Sequence, residues 1–269
     1  MTMQSQALKN MARTLLRYSP GIESALRWLR LHFASHFRLV PPAELSRVSD
    51  ELSDSWMNDG IPAKQRTVVE RELPGYRTGK PNRIFDALVD ILLHNIPGLE
   101  KRSLLEIGCS SGYYSEVLRC RGVAASYQGC DLSPAFIRLA QRTYPSIRFD
   151  IENATSLSYG ANSFDVVVSG CCLLHIFEYE RAIAEAARVS SEFVVFHRTP
   201  VLHLTGPVFY TKKAYGTEML EIHFNEQQLV RMFAEHKLHV IDINSHLSLP
   251  ESRRGGVLIY KTYLCQKVK

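Results

Sequence analysis

Apolar and polar positions follow two different periodicities along the chain. Short apolar runs predict buried strands, and stretches with apolar residues three and four positions apart predict helices that pack on them. A last helix is expected after Asn225, which suits an N-cap, with Gln228 in the capping-box position. The predicted strands and helices follow one another over 103–107, 112–120, 126–130, 134–143, 147–151, 164–169, 178–188, 192–197, 226–236, 238–243 and 256–264. This alternation predicts an α/β fold with a mostly parallel sheet and helices on both faces.

The part of the chain before this pattern predicts a separate helical segment. Amphipathic helices are expected over 4–18 and 22–38, and prolines and glycines make 43–80 partly irregular. A helix over 82–95 then opens the α/β region. The expected organisation is a helical cap over 1–80 and an α/β domain over 81–269, with an insertion over 199–224.

The basic character of the chain is concentrated in its N-terminal segment. The net charge is +5, and residues 1–48 hold seven basic and two acidic side chains, so the remaining residues are neutral overall. Amphipathic helices usually bury their apolar side on protein, which favours a cap over the α/β domain or a homodimer contact. The alternative is a peripheral contact with an anionic membrane surface, because basic amphipathic helices bind such surfaces.

Composition argues against several classes of protein. No apolar run reaches about 20 residues, so no transmembrane helix is expected, and charges interrupt any signal-peptide core. The six cysteines lack paired spacing, which favours a reduced, cytoplasmic protein. The neighbouring Cys171 and Cys172 would point to opposite faces of a strand, so no metal site is expected. Because basic residues in the domain form no stripe interleaved with aromatic residues, no nucleic-acid partner is expected.

One stretch carries most of the chemical information. Residues 103–118 have the sequence S-L-L-E-I-G-C-S-S-G-Y-Y-S-E-V-L, which predicts a strand, a tight loop between Gly108 and Gly112, and a helix. Glycine permits positive φ and lets a ligand approach the backbone, and a helix N-terminus favours an electronegative group. The loop lacks the Gly-Lys-Ser/Thr of a phosphate-binding loop, and its glycine spacing differs from G-x-G-x-x-G.

An acidic residue follows at the end of the next predicted strand. Asp131 lies about twenty residues beyond the loop, which is the usual position of a ribose-binding acid. A carboxylate there can accept hydrogen bonds from both ribose hydroxyls. Asp131 therefore indicates an adenosine-type ligand and leaves both S-adenosylmethionine (SAM) and NAD open.

The spacing E-x-G-x-S-x-G over Glu106–Gly112 resembles the first motif of class I SAM-dependent methyltransferases, E/D-x-G-x-G-x-G. Ser110 stands where that motif has its middle glycine. The sequence N-A-T-S-L over 153–157 is similar to the family's D-A-x-x-L-P, and S-F-D-V-V-V-S over 163–169 resembles the strand of the substrate-side wall. The resemblance implies SAM as cofactor, bound by Glu106, Gly108, Ser110, Gly112, Asp131, Leu132, Asn153, Ala154 and Ser169.

The resemblance also implies individual roles and a fold. Asp131 would hold the ribose and Leu132 would pack on the adenine. Asn153 would accept a hydrogen bond from the adenine amino group, and Ala154 would offer its backbone N–H. The implied fold is Rossmann-like, with a seven-stranded, mostly parallel sheet that ends in a C-terminal antiparallel hairpin.

The acceptor side is expected at the ends of later strands and in the insertion. His175 is the first candidate for a general base, since an imidazole titrates near neutral pH, and His197 is the second. Arg198 is expected to bind an anionic group, and Tyr210 and Tyr215 to line the acceptor pocket. The expected reaction is methyl transfer to a small-molecule or saccharide hydroxyl. The H-R-T-P segment and its surroundings resemble methyltransferases of bacterial surface-polysaccharide synthesis, which would make the acceptor a glycan.

Two alternatives stay open on the sequence. One is a SAM-binding protein without turnover, including a membrane-associated one, because cofactor binding and chemistry use different residues. The other is an NAD-dependent oxidoreductase, which the glycine spacing and the S-F-D strand disfavour.

Overall fold

The computed structural model describes residues 37–203, 206–251 and 256–268. The predicted helix over 4–18 lies outside the described residues, and so does the helix over 22–38 except for its last two positions. Of these two, Arg38 belongs to a short strand rather than to a helix. The proposed cap, dimer and membrane roles of these helices therefore stay predictions.

The described residues form ten strands and eight α-helices, which alternate through most of the stretch from Ser103 to Leu202. The strands are β1 (Arg38–Leu39), β2 (Ser103–Ile107), β3 (Ser126–Asp131), β4 (Arg148–Ile151), β5 (Phe164–Gly170), β6 (Ser190–Leu202), β7 (Val208–Ala214), β8 (Thr217–Asn225), β9 (Leu238–Glu251) and β10 (Gly256–Lys267). The helices are α1 (Leu45–Leu52), α2 (Ile61–Val69), α3 (Leu73–Arg77), α4 (Arg83–Asn95), α5 (Tyr113–Cys120), α6 (Pro134–Thr143), α7 (Tyr179–Val189) and α8 (Glu226–Glu235). Short 3-10 turns lie at Pro42–Glu44, Ser55–Met57, Leu99–Lys101 and Leu173–His175.

Seven of these strands form the sheet that the sequence predicted. Their order across the sheet is β4-β3-β2-β5-β6-β10-β9, with β2 to β6 parallel and β10 antiparallel to both β6 and β9. The chain changes direction across the sheet between β2 and β5. Ligands of such sheets bind at this switch point, outside the carboxyl ends of the strands. The predicted fold class is confirmed.

Three further strands extend the sheet beyond this core. The end of β6 pairs in parallel with the end of β8, β8 pairs antiparallel with β7, and β7 pairs antiparallel with β1. We call β1, β7 and β8 the accessory strands. The stretch 199–224, expected as an insertion, is therefore the end of β6 followed by a β-hairpin. A strand from before residue 80 completes the same sheet.

The segment 43–80 is mostly helical, more so than the partly irregular structure expected there. Its prolines caused the error. Pro62 and Pro74 lie at the first or second residue of α2 and α3. The backbone N–H groups of a helix's first turn have no partner within the helix, so a proline there costs little.

The core sheet is covered by apolar residues on both faces. Leu105 and Val167 pack in one buried cluster with residues of α7 and α8. Leu104 and Val166 pack in a second cluster with residues of α4 and α5. Burial of both faces explains why the parallel strands have continuous apolar runs instead of strict alternation. The rigid sheet fixes the positions of the side chains at its carboxyl ends.

Candidate cofactor and acceptor site

The glycine loop follows β2 and has little free space on its inner side. Gly108 has φ +70 and Gly112 has φ +73. A Cβ on Gly108 would lie 2.5 Å from the Cys172 side chain, and one on Gly112 would lie 2.6 Å from Cζ of Phe149. Both positions therefore require glycine for their backbone angle and for their packing. Ser110 also has positive φ, at 49, a conformation that costs a non-glycine residue about 1–2 kcal/mol.

Asp131 holds this loop in place from the end of β3. Its Oδ2 accepts a hydrogen bond from the Ser110 backbone N–H at 2.8 Å, and its Oδ1 accepts one from the Ser133 N–H at 2.9 Å. Burial raises the pKa of Asp131 to about 6, so the carboxylate is mostly ionised at neutral pH. Each carboxylate oxygen can accept a further hydrogen bond. Asp131 can thus fix the loop and bind a ribose diol together.

The surface beside Asp131 suits the flat face of a purine. Leu132 is 39% exposed and Ile151 is 56% exposed, and they follow or end the adjacent strands β3 and β4. Apolar side chains exposed at the carboxyl ends of neighbouring strands offer packing surface to an adenine ring. Ala154 is half-buried against the core below them.

Asn153 differs from its expected role. Its Oδ1 accepts hydrogen bonds from the backbone N–H and the hydroxyl of Thr155, both at 2.9 Å. An amide oxygen has two lone pairs, and both are used here. Asn153 therefore shapes the turn after β4, and its Oδ1 is not left to accept from an adenine amino group. The match to the family's aspartate at this position misled the sequence interpretation.

Glu106 lies beneath the loop and is only 1% exposed. Its Oε2 accepts a hydrogen bond from the Tyr127 hydroxyl, and its Oε1 has no hydrogen-bond partner among the described residues. Gly170 at the end of β5 has no room for a Cβ because Glu106 Oε1 occupies that space. Burial raises the pKa of Glu106 to about 8. A buried oxygen without a donor fits a cationic ligand group such as the ammonium of SAM.

Helix α2 covers the loop, a role that the sequence did not suggest. Gln65 Nε2 donates to the Ser110 hydroxyl at 3.1 Å, and Lys64 Nζ donates to the Tyr215 carbonyl at 2.9 Å. Ile61 packs with residues of α6 and β8 on the same side. The helix thus bridges the glycine loop and the β7–β8 turn. A helical stretch that starts with Ile-Pro gave no clear start signal, so α2 was not recognised.

His175 lies in the 3-10 turn after β5, facing β8. Its Nδ1 is 2.6 Å from the Leu220 carbonyl oxygen, which requires a proton on Nδ1 and leaves the lone pair on Nε2. The Trp56 ring centroid lies 4.9 Å from the imidazole centroid. Burial and the charge of Lys212 lower the pKa of His175 to about 3. His175 is therefore neutral at physiological pH and a weak base.

His197 is not placed to take a proton from an acceptor. It is fully buried, with Nδ1 at 2.8 Å from the Thr262 hydroxyl and Nε2 at 2.9 Å from the Tyr114 hydroxyl. Burial holds its pKa well below the usual range. Both ring nitrogens already have partners, so His197 ties β6 to α5 and β10. The expectation of His197 as a second base is corrected accordingly.

The aromatic residues expected in the acceptor pocket separate in the structure. Tyr215 is half-buried at the β7–β8 turn, and its ring centroid lies 6.4 Å from that of Trp56. Tyr210 is only 3% exposed, with its ring against Phe37 and His223 inside the accessory strands. Tyr215 therefore joins Trp56 and His175 in one group, whereas Tyr210 is structural.

The remaining predicted residues lie at the ends of β5 and β6. Ser169 is buried, pairs with Ile107 across the β2–β5 register and accepts the Cys171 N–H through its carbonyl. It shapes the floor between the cofactor loop and the acceptor side. Arg198 is partly buried beyond the end of β5 and has φ +57.

A surface cavity of about 510 Å³ lies elsewhere, beside the β7–β8 turn. It is lined by Glu51, Leu52, Asp54, Ser55, Met57, Asn58, Asp59, Thr217 and Glu218. Residues of the glycine loop do not line it. We therefore place the cofactor at the loop and not in this cavity.

Two searches of the described residues gave negative results. No described helix combines the length and the apolar character that crossing a bilayer needs. The described residues also contain no group of three or more histidine, cysteine, aspartate or glutamate side chains that could hold a metal ion.

Comparison with known proteins agrees with this geometry. The sequence profile of a methyltransferase domain family, Methyltransf_11, matches residues 105–192. Ajmaline N-methyltransferase of Rauvolfia serpentina is 28% identical over 154 residues, 54% of this chain and 50% of that protein. The phthiotriol/phenolphthiotriol dimycocerosates methyltransferase of Mycobacterium leprae is 32% identical over 122 residues, 44% of each protein. The chain thus spans about half the length of these curated relatives.

Solved structures extend the similarity to most of the core. The crystal structure of a SAM-dependent methyltransferase from Methanosarcina mazei matches with a TM-score of 0.51 and 25% identity. The match covers 66% of this chain and 97% of that one. Residues 105–192 thus form a methyltransferase domain, and the fold around it is that of the class I SAM-dependent methyltransferase superfamily, whose cofactor is SAM.

Proposed function

We propose that this protein transfers the methyl group of SAM to a small-molecule acceptor bound between α2 and the β7–β8 turn. One observation carries the cofactor half of the proposal: Asp131 holds the Ser110 N–H of the glycine loop while its carboxylate remains available to a ribose. The bound SAM supplies the electrophilic sulfonium methyl group. The protein's task is then to hold both reactants in line, which can lower a barrier by about 7–11 kcal/mol.

The residues around the loop fit the three parts of SAM. Asp131 would bind the ribose, and Leu132 and Ile151 would pack on the adenine. Glu106 would receive the ammonium group, since its Oε1 has no partner among the described residues. Gln65 bonds to the loop from above and would exclude water from the cofactor.

The state of His175 supports a proposal about the acceptor atom. Its Nε2 lone pair can accept a hydrogen bond from a hydroxyl and orient it toward the methyl group. With a pKa of about 3, however, the imidazole is too weak a base to remove the proton of an alcohol. An acceptor that ionises by itself needs no such base. We therefore infer methylation at the oxygen of a phenol or carboxylic acid in preference to a saccharide hydroxyl.

The first experiment is calorimetric titration of the purified chain with S-adenosylhomocysteine and, in parallel, with NAD. We expect micromolar binding of S-adenosylhomocysteine and none of NAD. Binding of NAD alone would overturn the cofactor assignment. Absence of binding by either compound would also contradict the proposal.

The second experiment tests the acceptor. SAM consumption is followed with a panel of phenols, carboxylic acids and saccharides, with wild type and with His175→Ala. We expect turnover with phenols or carboxylic acids, and only a moderate loss in the variant because His175 orients the acceptor without holding its proton. Turnover with saccharides alone would refute the proposed acceptor class. No turnover despite cofactor binding would favour a SAM-binding protein without catalysis.

A further inference from the structure

A bulge in β6 re-aims Arg198. On β10, Lys261 pairs with Thr199 and Tyr263 pairs with Phe196, so the single residue Thr262 faces two residues of β6, namely 197 and 198. Arg198 adopts φ +57 at this bulge, a conformation that a glycine would adopt at lower cost. Bulges beside active sites redirect side chains. An arginine kept in a strained backbone conformation suggests that its side-chain direction is useful.

The guanidinium group of Arg198 has no counter-ion in the described structure. No described residue forms a hydrogen bond or an ion pair with it, although the side chain is partly buried. It lies close enough to Tyr114 and Tyr260 for its charge to lower the pKa that burial raises in these phenols. A guanidinium in such surroundings has lost part of its hydration without gaining an anion, which is unfavourable.

A second cation lies near Arg198 and already has its partner. Lys212 forms an ion pair with the fully buried Glu221, which also accepts from the Tyr260 hydroxyl at 3.1 Å. Burial and, to a smaller extent, the charge of Arg198 lower the pKa of Lys212 to about 8. Arg198, Lys212 and Glu221 therefore contribute two positive charges and one negative charge to this region.

We propose that Arg198 binds a carboxylate or phosphate group of the acceptor, so that the substrate is an organic anion. The planar guanidinium donates two parallel hydrogen bonds to either group. The inference rests on the proposed function, because it places the anion on the acceptor side of a SAM site. It goes further by giving the substrate's charge and the residue that recognises it. The carboxylate of SAM is another anionic group that Arg198 could bind, and the test below distinguishes it from an anionic group of the acceptor.

The test uses full-length protein saturated with S-adenosylhomocysteine and three probes: benzoate, phenyl phosphate and uncharged benzamide. Binding is measured by ligand-observed NMR at millimolar probe concentrations. We expect one or both anions to bind, and Arg198→Met to weaken that binding about tenfold or more, as loss of charge-assisted hydrogen bonds does. Arg198→Lys should lose less, since it keeps the charge. The matched control Arg231→Met removes an exposed arginine from α8 and should change nothing.

Each other result has a distinct meaning. Failure of the wild type to bind S-adenosylhomocysteine would contradict the proposed function itself. The proposed role of Arg198 would be overturned if the cofactor binds normally but neither anion binds. It would also be overturned if Arg198→Met leaves anion binding unchanged. A third result would be that Arg198→Met weakens the binding of S-adenosylhomocysteine but not that of 5′-methylthioadenosine, which lacks the carboxylate. Arg198 would then serve the cofactor, and the acceptor assignment would be wrong. Thermal unfolding of each variant checks that it is folded.

Discussion

Replacing Glu106 by glutamine tests the burial of an ionisable group under the cofactor loop. Glu106 is 1% exposed, and burial raises its pKa from 4.5 to about 8. The folded-state pKa is thus above the unfolded one. The stability that the protonated carboxyl contributes is therefore fully present below about pH 4.5 and is lost as the pH rises through about 8. Glutamine has the same shape and does not titrate.

The size of the effect follows from the shift. Each pKa unit corresponds to about 1.4 kcal/mol, so the rise from 4.5 to about 8 is worth at most about 5 kcal/mol. Relative to Glu106→Gln, the wild type should lose about 1.4 kcal/mol of unfolding free energy per pH unit between roughly pH 5 and 8. Other titrating groups cancel in this difference unless they interact with Glu106.

Urea unfolding at a series of pH values measures this difference. The matched control is Glu100→Gln, which changes an exposed glutamate in a surface turn and should give a difference that is independent of pH. A flat difference for Glu106→Gln as well would show that Glu106 titrates normally in the fold. The reasoning that burial under the loop keeps this carboxyl protonated would then be refuted.

Two further predictions concern the cofactor loop. Asp131→Asn should weaken S-adenosylhomocysteine binding by about 1.5–3 kcal/mol. As the pH is lowered through about 6, the pKa of Asp131, the wild-type protein should lose affinity and the variant should not. Calorimetry measures both effects, with the exposed Asp90→Asn as control, and equal behaviour of the two variants would contradict the prediction. Gly112→Ala should destabilise the fold by about 1–3 kcal/mol more than Gly122→Ala. Both glycines have positive φ, but only at Gly112 would the added Cβ meet an aromatic ring. Equal losses of unfolding free energy in urea would mean that backbone strain alone matters.

The cofactor half of the site was predictable because its information is local. The glycine loop and Asp131 lie at the ends of two neighbouring strands, so strand prediction and short motifs place them together without knowledge of distant contacts. Even there, local likeness has a limit. Asn153 occupies the position of the family's aspartate, but its bonds to Thr155 give it another role.

The acceptor half depends on contacts between distant parts of the chain. His197 ends the predicted strand over 192–197, and its hydrogen bonds come from Tyr114 and Thr262, which lie in α5 and β10. The accessory strands pair residues near 38 with residues near 210, a contact that no local pattern reveals. Helix α2 was hidden by Pro62, because a proline breaks a helix in its interior but is tolerated in its first turn.

The junction between β6 and β8 separates the core sheet from the accessory strands. The accessory strands join the core sheet through two residue pairs, Val201–Phe224 and Leu202–Asn225. The methyltransferase profile ends at residue 192, before this junction. Substitutions in the β7–β8 hairpin can therefore reshape the acceptor side without moving the strands that hold SAM. We therefore expect a substrate assignment to transfer only between proteins that also share this hairpin.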